Sequence, residues 1–306
     1  MASSSLHKYL IVVVGPTAVG KTALCVQLAK YLQTEIVSAD ARQCYREMAI
    51  GTGQPTTVEK QGITHHLMDF LPVQSPYSAG IFERDALKIL AALFNRHDRV
   101  ILTGGSGLYV KAVCEGLDAM PRLDISVKER LNTRLQQVGL RALMQELAVR
   151  DPAYYQLVDR SNPHRIIRAL AVCLATGQPY SALRTNCPAE RPFKVIKIGL
   201  NCDRQALYEQ INQRVDRMLG QGLWTEATAL YAYRDYNALK TVGYQEIFEC
   251  LAGRYSQLQA VELIKRNTRR YAKRQLTWFR GDQTISWFQP DDLQGIIDHV
   301  NQCSLG

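Results

Sequence analysis

The sequence has no CxxC pair. Its eight cysteines (Cys25, Cys44, Cys114, Cys173, Cys187, Cys202, Cys250 and Cys303) are scattered along the chain. A zinc site or a disulfide framework needs clustered or patterned spacing, so these read as reduced, mostly packed thiols. No stretch is long and apolar enough to span a bilayer, and the opening "MASSSLHKYLIVVVG" has too short an apolar run for a secretory signal. Internal repeats and low-complexity linkers are missing as well. From these absences the expectation is a soluble cytoplasmic protein.

What is present is an ordinary globular composition, 46% hydrophobic and 21% charged over 306 residues, ample for a sizeable core. Lys and Arg outnumber Asp and Glu by 37 to 28, a net charge of +9. That excess suits an anionic partner such as nucleic acid, or solubility alone.

The β-branched run "YLIVVV" has the pattern of a strand buried on both faces. "TALCVQLAKYL" follows with helical spacing, then "EIVSAD" as a strand and "HHLMDF" as a weaker one. A helix through "AGIFERDALKILAALF" leads to the strand, glycine turn and helix of "RVILTGGSGLYVKAV". Alternating strands and helices predict an α/β fold with a mainly parallel sheet covered on both sides. From Asp118 to about Arg191 the pattern is helical only, as in "DISVKERLNTRLQQV", "LRALMQELAVR" and "PHRIIRALAVCLATG". The last is punctuated by Asn162 and Pro163 before it and Gly177 after it. "FKVIKIGL" restores a strand, and Leu207, Ile211, Val215 and Met218 then mark a long helix. The predicted organisation is an α/β core, residues 1–118 and 192–306, interrupted by an all-helical insertion, residues 119–191.

Gly15-Pro16-Thr17-Ala18-Val19-Gly20-Lys21-Thr22 fits GxxxxGK[ST], and it lies between a buried strand and a helix. In that context glycines turn backbone N–H groups inward, and the helix N-terminus favours anions. Lys21 would reach a terminal phosphate, and the Thr22 hydroxyl would face Mg²⁺. A nucleotide hydrolase also needs an apolar strand ending in a magnesium-holding Asp. The strand placed for it, "RVILTGG", ends in Thr103 and two glycines, and no NKxD signature occurs. Phosphate binding is therefore expected, whereas nucleotide hydrolysis is poorly supported.

Asp40 falls at the carboxyl end of a strand, where open α/β sheets place their ligands. It reads equally as a helix N-cap for "ARQCY" or as a general base facing the phosphate loop. Thr52, Gly53 and Pro55 mark a turn beside the same cleft. His65 and His66 are neighbours on a strand and point to opposite faces, so a structural role is expected for them. "IKRNTRRYAKRQLTWFR" carries seven cations (Lys265, Arg266, Arg269, Arg270, Lys273, Arg274 and Arg280) without one acid. At 100° per residue they occupy about half the helix circumference, and Ile264, Tyr271, Ala272, Trp278 and Phe279 occupy the other half. One side is expected to pack, and the other to face a small diphosphate or a nucleic-acid backbone. A merely solvated cationic face is the commoner case for ordinary helices. Arg165 and Arg168 form a second basic site on an insertion helix.

These residues resemble the bacterial tRNA dimethylallyltransferases (tRNA isopentenyltransferases). The matching blocks are "GPTAVGKT", "DARQCYREMAIGTGQPT", "HHLMDF", "GGSGLY", "NPHRIIRALA", "INQRVDRMLGQG", "ALKTVGYQE" and "IKRNTRRYAKRQLTWFR", from Gly15 to Arg280. The resemblance implies a P-loop NTPase-like core whose loop cradles dimethylallyl diphosphate. It also implies transfer of the dimethylallyl group to the exocyclic amine of the adenosine 3′ of certain tRNA anticodons. Asp40 would then be the general base, and Lys21, Arg214 and Mg²⁺ on Thr22 would steady the leaving diphosphate. Thr17 would position the diphosphate and Ser106 the base. Contacts with the tRNA anticodon stem-loop are implied for Asp40, Ala41, Arg42, Gln43, Ser106, Lys128, His164, Arg165 and Arg168. The same holds for Lys240, Thr241, Val242, Gly243, Tyr244 and Gln245.

Three positions depart from the family pattern. Ala41 stands where Ser is usual, which removes a hydrogen bond at the base. Ser106 replaces Thr with the hydroxyl kept, and Ala171 replaces the Glu of "RALE". The zinc-finger extension of some eukaryotic relatives is not expected, and a monomer is the default. An adenylate dimethylallyltransferase acting on free AMP or ATP would share the loop and Asp40, but it would have little use for a basic helical insertion. A P-loop kinase and a non-catalytic RNA-binding module are the rivals from other classes.

Overall fold

The computed structural model describes residues 8–121, 123–185 and 187–305. Residues 1–7, which begin the segment read above for a secretory signal, lie outside it. The chain divides into two compact units, 1–114 with 190–306, and 115–189. The breaks fall within four residues of the expected boundaries at 118 and 192.

The first unit is built on six strands. They are β1 (Tyr9–Val14), β2 (Ile36–Ser38), β3 (His65–His66), β4 (Arg99–Gly104), β5 (Lys194–Leu200) and β6 (Ile285–Phe288), in the order β3-β2-β4-β1-β5-β6. Every pairing is parallel. β1 lies inside the sheet and is buried along its whole length, as its unbroken hydrophobic run requires. Alternate residues serve opposite layers. Ile11 and Val13 pack with Leu24, Leu28 and Ala29 of helix Lys21–Leu32 and with Ile296 and Val300 of helix Leu293–Leu305. Leu10, Val12 and Val14 pack with Phe82, Ala86 and Leu90 of helix Ala79–Phe94 and with Val110 and Val113 of helix Gly107–Glu115.

Val14 of β1 is level with Gly104 of β4 and Gly199 of β5. The chain leaves β1 for one side of the sheet and crosses back from β4 to β5. The carboxyl ends of β1 and β4 therefore border the crevice where such sheets bind ligands. β6 and the helix after it are not announced by the sequence pattern. Two of the four β6 residues are aromatic, and the strand finds its place only by pairing with β5. The expected strand through "HHLMDF" shrinks to two residues, because Leu67 and Asp69 both adopt positive φ.

A third layer packs Tyr45, Met48, Val215, Leu239, Tyr244, Ile247 and Ile264 around helices Arg204–Gly220, Tyr244–Leu251 and Gln257–Arg280. The second unit is all helical. Helix Ile125–Arg150 is broken at Gly139 (φ 76°, ψ 170°), as the two separate helical stretches in the sequence suggest. Helix Pro163–Thr176 starts on Asn162, whose side chain accepts the Arg165 N–H at 3.3 Å, and stops at Gly177 with φ 71°. Leu131, Leu143, Leu147, Ile166 and Leu170 form its core. Fully buried Asp151 staples the helix ends by accepting the Tyr154 N–H at 2.9 Å and the Ser181 N–H at 2.6 Å.

Candidate functional site

The loop after β1 has the shape its sequence predicts. Gly15 sits at φ 153° with the Leu200 carbonyl only 2.7 Å from where a Cβ would lie, so no larger residue fits without moving β5. Ala18 and Gly20 adopt φ 68° and 97°, and helix Lys21–Leu32 opens directly after them. This succession of turned backbone units at a helix N-terminus is an anion cradle. The Lys21 Nζ donates to the carbonyls of Gly15 (2.9 Å) and Pro16 (2.7 Å), curling over the loop. Burial, and next the Arg214 charge, pull the Lys21 ammonium down from 10.5 to about 8, against the opposing pull of Asp40. A cation held in this way gains from an arriving anion.

Asp40 follows β2 at its carboxyl end. Its Oδ1 accepts the N–H of Arg42 at 2.8 Å and of Gln43 at 3.3 Å. The residue is thus a cap, but of a turn, since residues 41–44 form no helix. Oδ2 accepts no hydrogen bond among the described residues, so one oxygen holds the turn and the other can take a proton. The Ser106 hydroxyl accepts the Ala41 N–H at 2.9 Å, which fixes the Asp40 turn to the glycine turn after β4. Ala41 offers no hydroxyl, and the Asp40 carboxylate takes its hydrogen bonds from backbone.

Arg214, on helix Arg204–Gly220, donates to the Thr52 carbonyl at 3.1 Å. A Cβ on Gly53 would sit 2.0 Å from its Nη2, so this glycine leaves room for the guanidinium. Burial lowers the Arg214 pKa, with Asp40 opposing. Lys21, Asp40 and Arg214 therefore form one interacting group of charges. Gln43 supports the same turn by donating to the carbonyls of Thr52 (3.3 Å) and Gly53 (3.0 Å).

One participant carries no signal in the sequence. Gln275 lies on the packing half of the basic helix and is 6% exposed. Its Oε1 accepts the Thr17 N–H at 2.8 Å, and its Nε2 donates to the Gly105 carbonyl at 3.0 Å. Among its cationic neighbours the residue looks like one more polar position. Only its angular place beside Ile264, Ala272 and Phe279 hints that it points inward.

The basic helix departs from expectation in two ways. Lys265 pairs with Asp216 at 2.7 Å, and Arg269 donates to Asn212 at 2.7 Å, so helix Arg204–Gly220 supplies the partners that the helix's own sequence lacks. Arg266, Arg270, Lys273, Arg274 and Arg280 are exposed. Trp278, assigned to the packing half, is 47% exposed, because only the edge of its ring covers Gly107.

The stretch from Lys240 to Gln245 divides. Lys240 and Gln245 are exposed, Thr241 and Val242 are half-buried, and Gly243 is buried. Tyr244 does not present itself to a ligand. It is fully buried, and its hydroxyl donates to Glu226 Oε1 at 2.6 Å. The same carboxylate accepts the N–H groups of Ile50 and Gly51 at 2.8 Å each, so Tyr244 belongs to the support of the Thr52–Gly53 turn. On the helical unit Lys128, His164, Arg165 and Arg168 are all exposed.

His65 and His66 have separate partners, the Ile63 carbonyl at 2.9 Å and Glu35 at 2.8 Å. Among the described residues no group of three His, Cys, Asp or Glu side chains could hold a metal ion. No helix among them is long and apolar enough to cross a membrane.

Comparison with known proteins agrees with this geometry. The family model described as IPP transferase matches residues 43–282. A tRNA dimethylallyltransferase from Cytophaga hutchinsonii is 48% identical over 97% of this chain and 98% of its own length. Its counterpart from Christiangramia forsetii is 46% identical over 96% and 98%. Among solved structures, the tRNA isopentenylpyrophosphate transferase from Bacillus halodurans is 36% identical, with a TM-score of 0.71 over 97% of this chain and 96% of that one. A eukaryotic dimethylallyltransferase described as acting on tRNA shares the fold, with a TM-score of 0.77 at 24% identity. It matches 97% of this chain and 78% of that one. The phosphate loop precedes the stretch matched by the family model, but the full-length relatives cover it, and the chain belongs to the IPP transferase family.

Proposed function

We propose that the protein transfers the dimethylallyl group of dimethylallyl diphosphate to the N6 amine of the adenosine 3′ of the anticodon in tRNA. The observation that carries this reading is a carboxylate at the end of β2 beside the phosphate loop, while the strand end where a nucleotide hydrolase needs a magnesium-holding Asp carries none. At the end of β4 that position is Thr103, whose hydroxyl donates to the Val13 carbonyl at 3.0 Å. Asp40 stands instead at the end of the neighbouring strand β2, with one oxygen uncommitted. The names of the relatives support tRNA as the acceptor.

In this reaction the bond between the first allylic carbon and the diphosphate oxygen breaks, and its electron pair leaves with the diphosphate. The N6 lone pair forms the new bond, and Asp40 accepts the proton that N6 loses. Lys21 and Arg214, both held with depressed pKa in a partly desolvated site, match the charge that grows on the leaving group. An adenine amine is a weak nucleophile, so alignment matters; well-oriented pairs gain on the order of 7–11 kcal/mol. Thr22 would hold a Mg²⁺ together with diphosphate oxygens and waters, and the ion would help neutralise the departing diphosphate. One hydroxyl, with no group of three His, Cys, Asp or Glu side chains among the described residues to cage a metal, fits that ion, which keeps several waters and binds largely through phosphate.

The exposed cations Arg266, Arg270, Lys273, Arg274 and Arg280 suit a nucleic-acid backbone, as do Lys128, His164, Arg165 and Arg168 on the helical unit. Extruding the target base costs about a few kcal/mol, which such phosphate contacts would offset. The test is incubation with labelled dimethylallyl diphosphate and unmodified tRNA, AMP or ATP, followed by mass analysis of the anticodon loop. Label at the adenosine 3′ of the anticodon is the expected outcome. Label on AMP or ATP alone would make the protein an adenylate dimethylallyltransferase. ATP turnover without allylic transfer would make it a P-loop kinase or hydrolase.

A further inference from the structure

We propose that Gln275 is a positioning residue that sets the spacing between the phosphate loop and the Asp40 turn, and so couples departure of the diphosphate to capture of the allylic carbon by the amine. This rests on the reaction proposed above. Gln275 is a buried amide with both ends engaged across the mouth of the site. Its Oε1 holds the Thr17 N–H, on the loop that would carry the donor, and its Nε2 holds the Gly105 carbonyl. Gly105 precedes Ser106, whose hydroxyl holds the Ala41 N–H next to Asp40. Hydrogen bonds of two side chains, Gln275 and Ser106, thus link the donor loop to the base by way of the Gly105–Ser106 backbone.

The surroundings are shaped to this amide. A Cβ on Gly105 would lie 2.1 Å from Gln275 Nε2, so only glycine lets the amide approach that carbonyl. Tyr271, one turn earlier on the helix, neighbours Gln275, and burial and then the Asp40 charge push its phenol upward, with Gln275 opposing. Ala272 and Phe279 lock the same helix face into the core at under 5% exposure. The amide is therefore held from both flanks, and a buried polar group with both ends satisfied gives a single geometry.

Alignment of reacting atoms is sensitive, and about 1 Å of misplacement costs on the order of 100-fold. With the spacing loosened, diphosphate can still depart. Water then attacks the allylic carbon, its oxygen forming the new bond and its proton passing to solvent, and the products are dimethylallyl alcohol and diphosphate. A strut that merely stabilises the fold would change the amount of active enzyme, but not this partition.

The experiment measures diphosphate released against prenylated adenosine formed, with unmodified tRNA, for wild type, Gln275→Met and Gly105→Ala. Gln275→Met keeps the volume and removes both hydrogen bonds; Gly105→Ala leaves Gln275 in place and drives its amide off the carbonyl. Wild type is expected to give a ratio of one. Both variants are expected to lower kcat about 10- to 100-fold with the donor KM within about threefold, and to release diphosphate in excess as the alcohol accumulates. The double variant should be no worse than the poorer single one. A ratio of one in both variants would overturn the proposal, whether kcat is unchanged or has fallen with the folded fraction. If Gln275→Met does not fold, Gly105→Ala alone decides. Absence of prenylated tRNA with wild type would instead count against the proposed function.

Discussion

Replacing Lys21 with Met should stabilise the ligand-free protein at neutral pH while destroying its response to diphosphate. The ammonium is held at about 8 against an ordinary 10.5, chiefly by burial and then by Arg214. A base depressed in this way costs stability wherever it is charged in both states. The cost is complete below the folded value and disappears as pH rises through the unfolded one. For Lys21 that amounts to about 3 kcal/mol at pH 7 and to less than about 1 kcal/mol at pH 10. Methionine keeps the stem and removes the charge, but it also forfeits the hydrogen bonds to the Gly15 and Pro16 carbonyls. The net gain at pH 7 is then about 1–3 kcal/mol, and most of it should vanish by pH 10. Trp224, Trp278 and Trp287 all lie in the first unit, so denaturant titration followed by tryptophan fluorescence reports on that unit. Adding inorganic diphosphate should raise the midpoint of the wild type and leave that of the variant in place. A variant less stable than wild type at pH 7, or one whose advantage is equal at pH 10, would refute the reasoning.

Asp40→Asn should lower single-turnover transfer about 100- to 10,000-fold with the melting midpoint unchanged, because an Asn oxygen still accepts the Arg42 and Gln43 N–H groups. Asp40→Ala should lose the same activity and about 1 kcal/mol of stability besides; transfer by the Asn variant within threefold of wild type would remove Asp40 as the base. Gly53→Ala, whose Cβ would press on the Arg214 guanidinium at a φ of 59°, should cut kcat about 10-fold or more in steady-state transfer assays. Tyr244→Phe should cost about 1–2 kcal/mol in chemical denaturation and leave tRNA affinity within twofold, since its hydroxyl serves Glu226. Arg165→Ala should weaken tRNA binding and lower the salt slope of log K by about 1, measured by filter binding from low to moderate salt.

How far the site could be read in advance differs residue by residue. The phosphate loop was legible because its chemistry lies in consecutive backbone units: GxxxxGK[ST] after a β-branched run leaves little choice of geometry. Asp40 could be placed at a strand end, yet its two readings stayed balanced. In the structure one carboxylate oxygen caps a turn, and the other accepts no hydrogen bond among the described residues. The tyrosine in "KTVGYQE" has its side chain in the core, which the motif does not show, because a short motif does not say which of its side chains faces inward. The basic helix was legible as a stripe of cations, but Asp216 and Asn212, which neutralise or hold two of them, come from a helix about fifty residues earlier. Gln275 was invisible for the same reason. Its partners, Thr17 and Gly105, are 258 and 170 residues away in the chain.

The sequence by itself determined what local periodicity and consecutive residues can encode: a parallel α/β sheet, the GxxxxGK[ST] loop between strand and helix, the helical insertion with its caps, and the family. Only the tertiary structure decided which polar side chains face inward and which distant elements meet. It joined the donor loop to the Asp40 turn through one buried amide, and it hung Arg214 on a turn that Glu226 and Tyr244 support. The physical reason is that hydrogen bonds of buried groups are satisfied by proximity in space, and for a non-local contact that proximity exists only once the sheet has assembled.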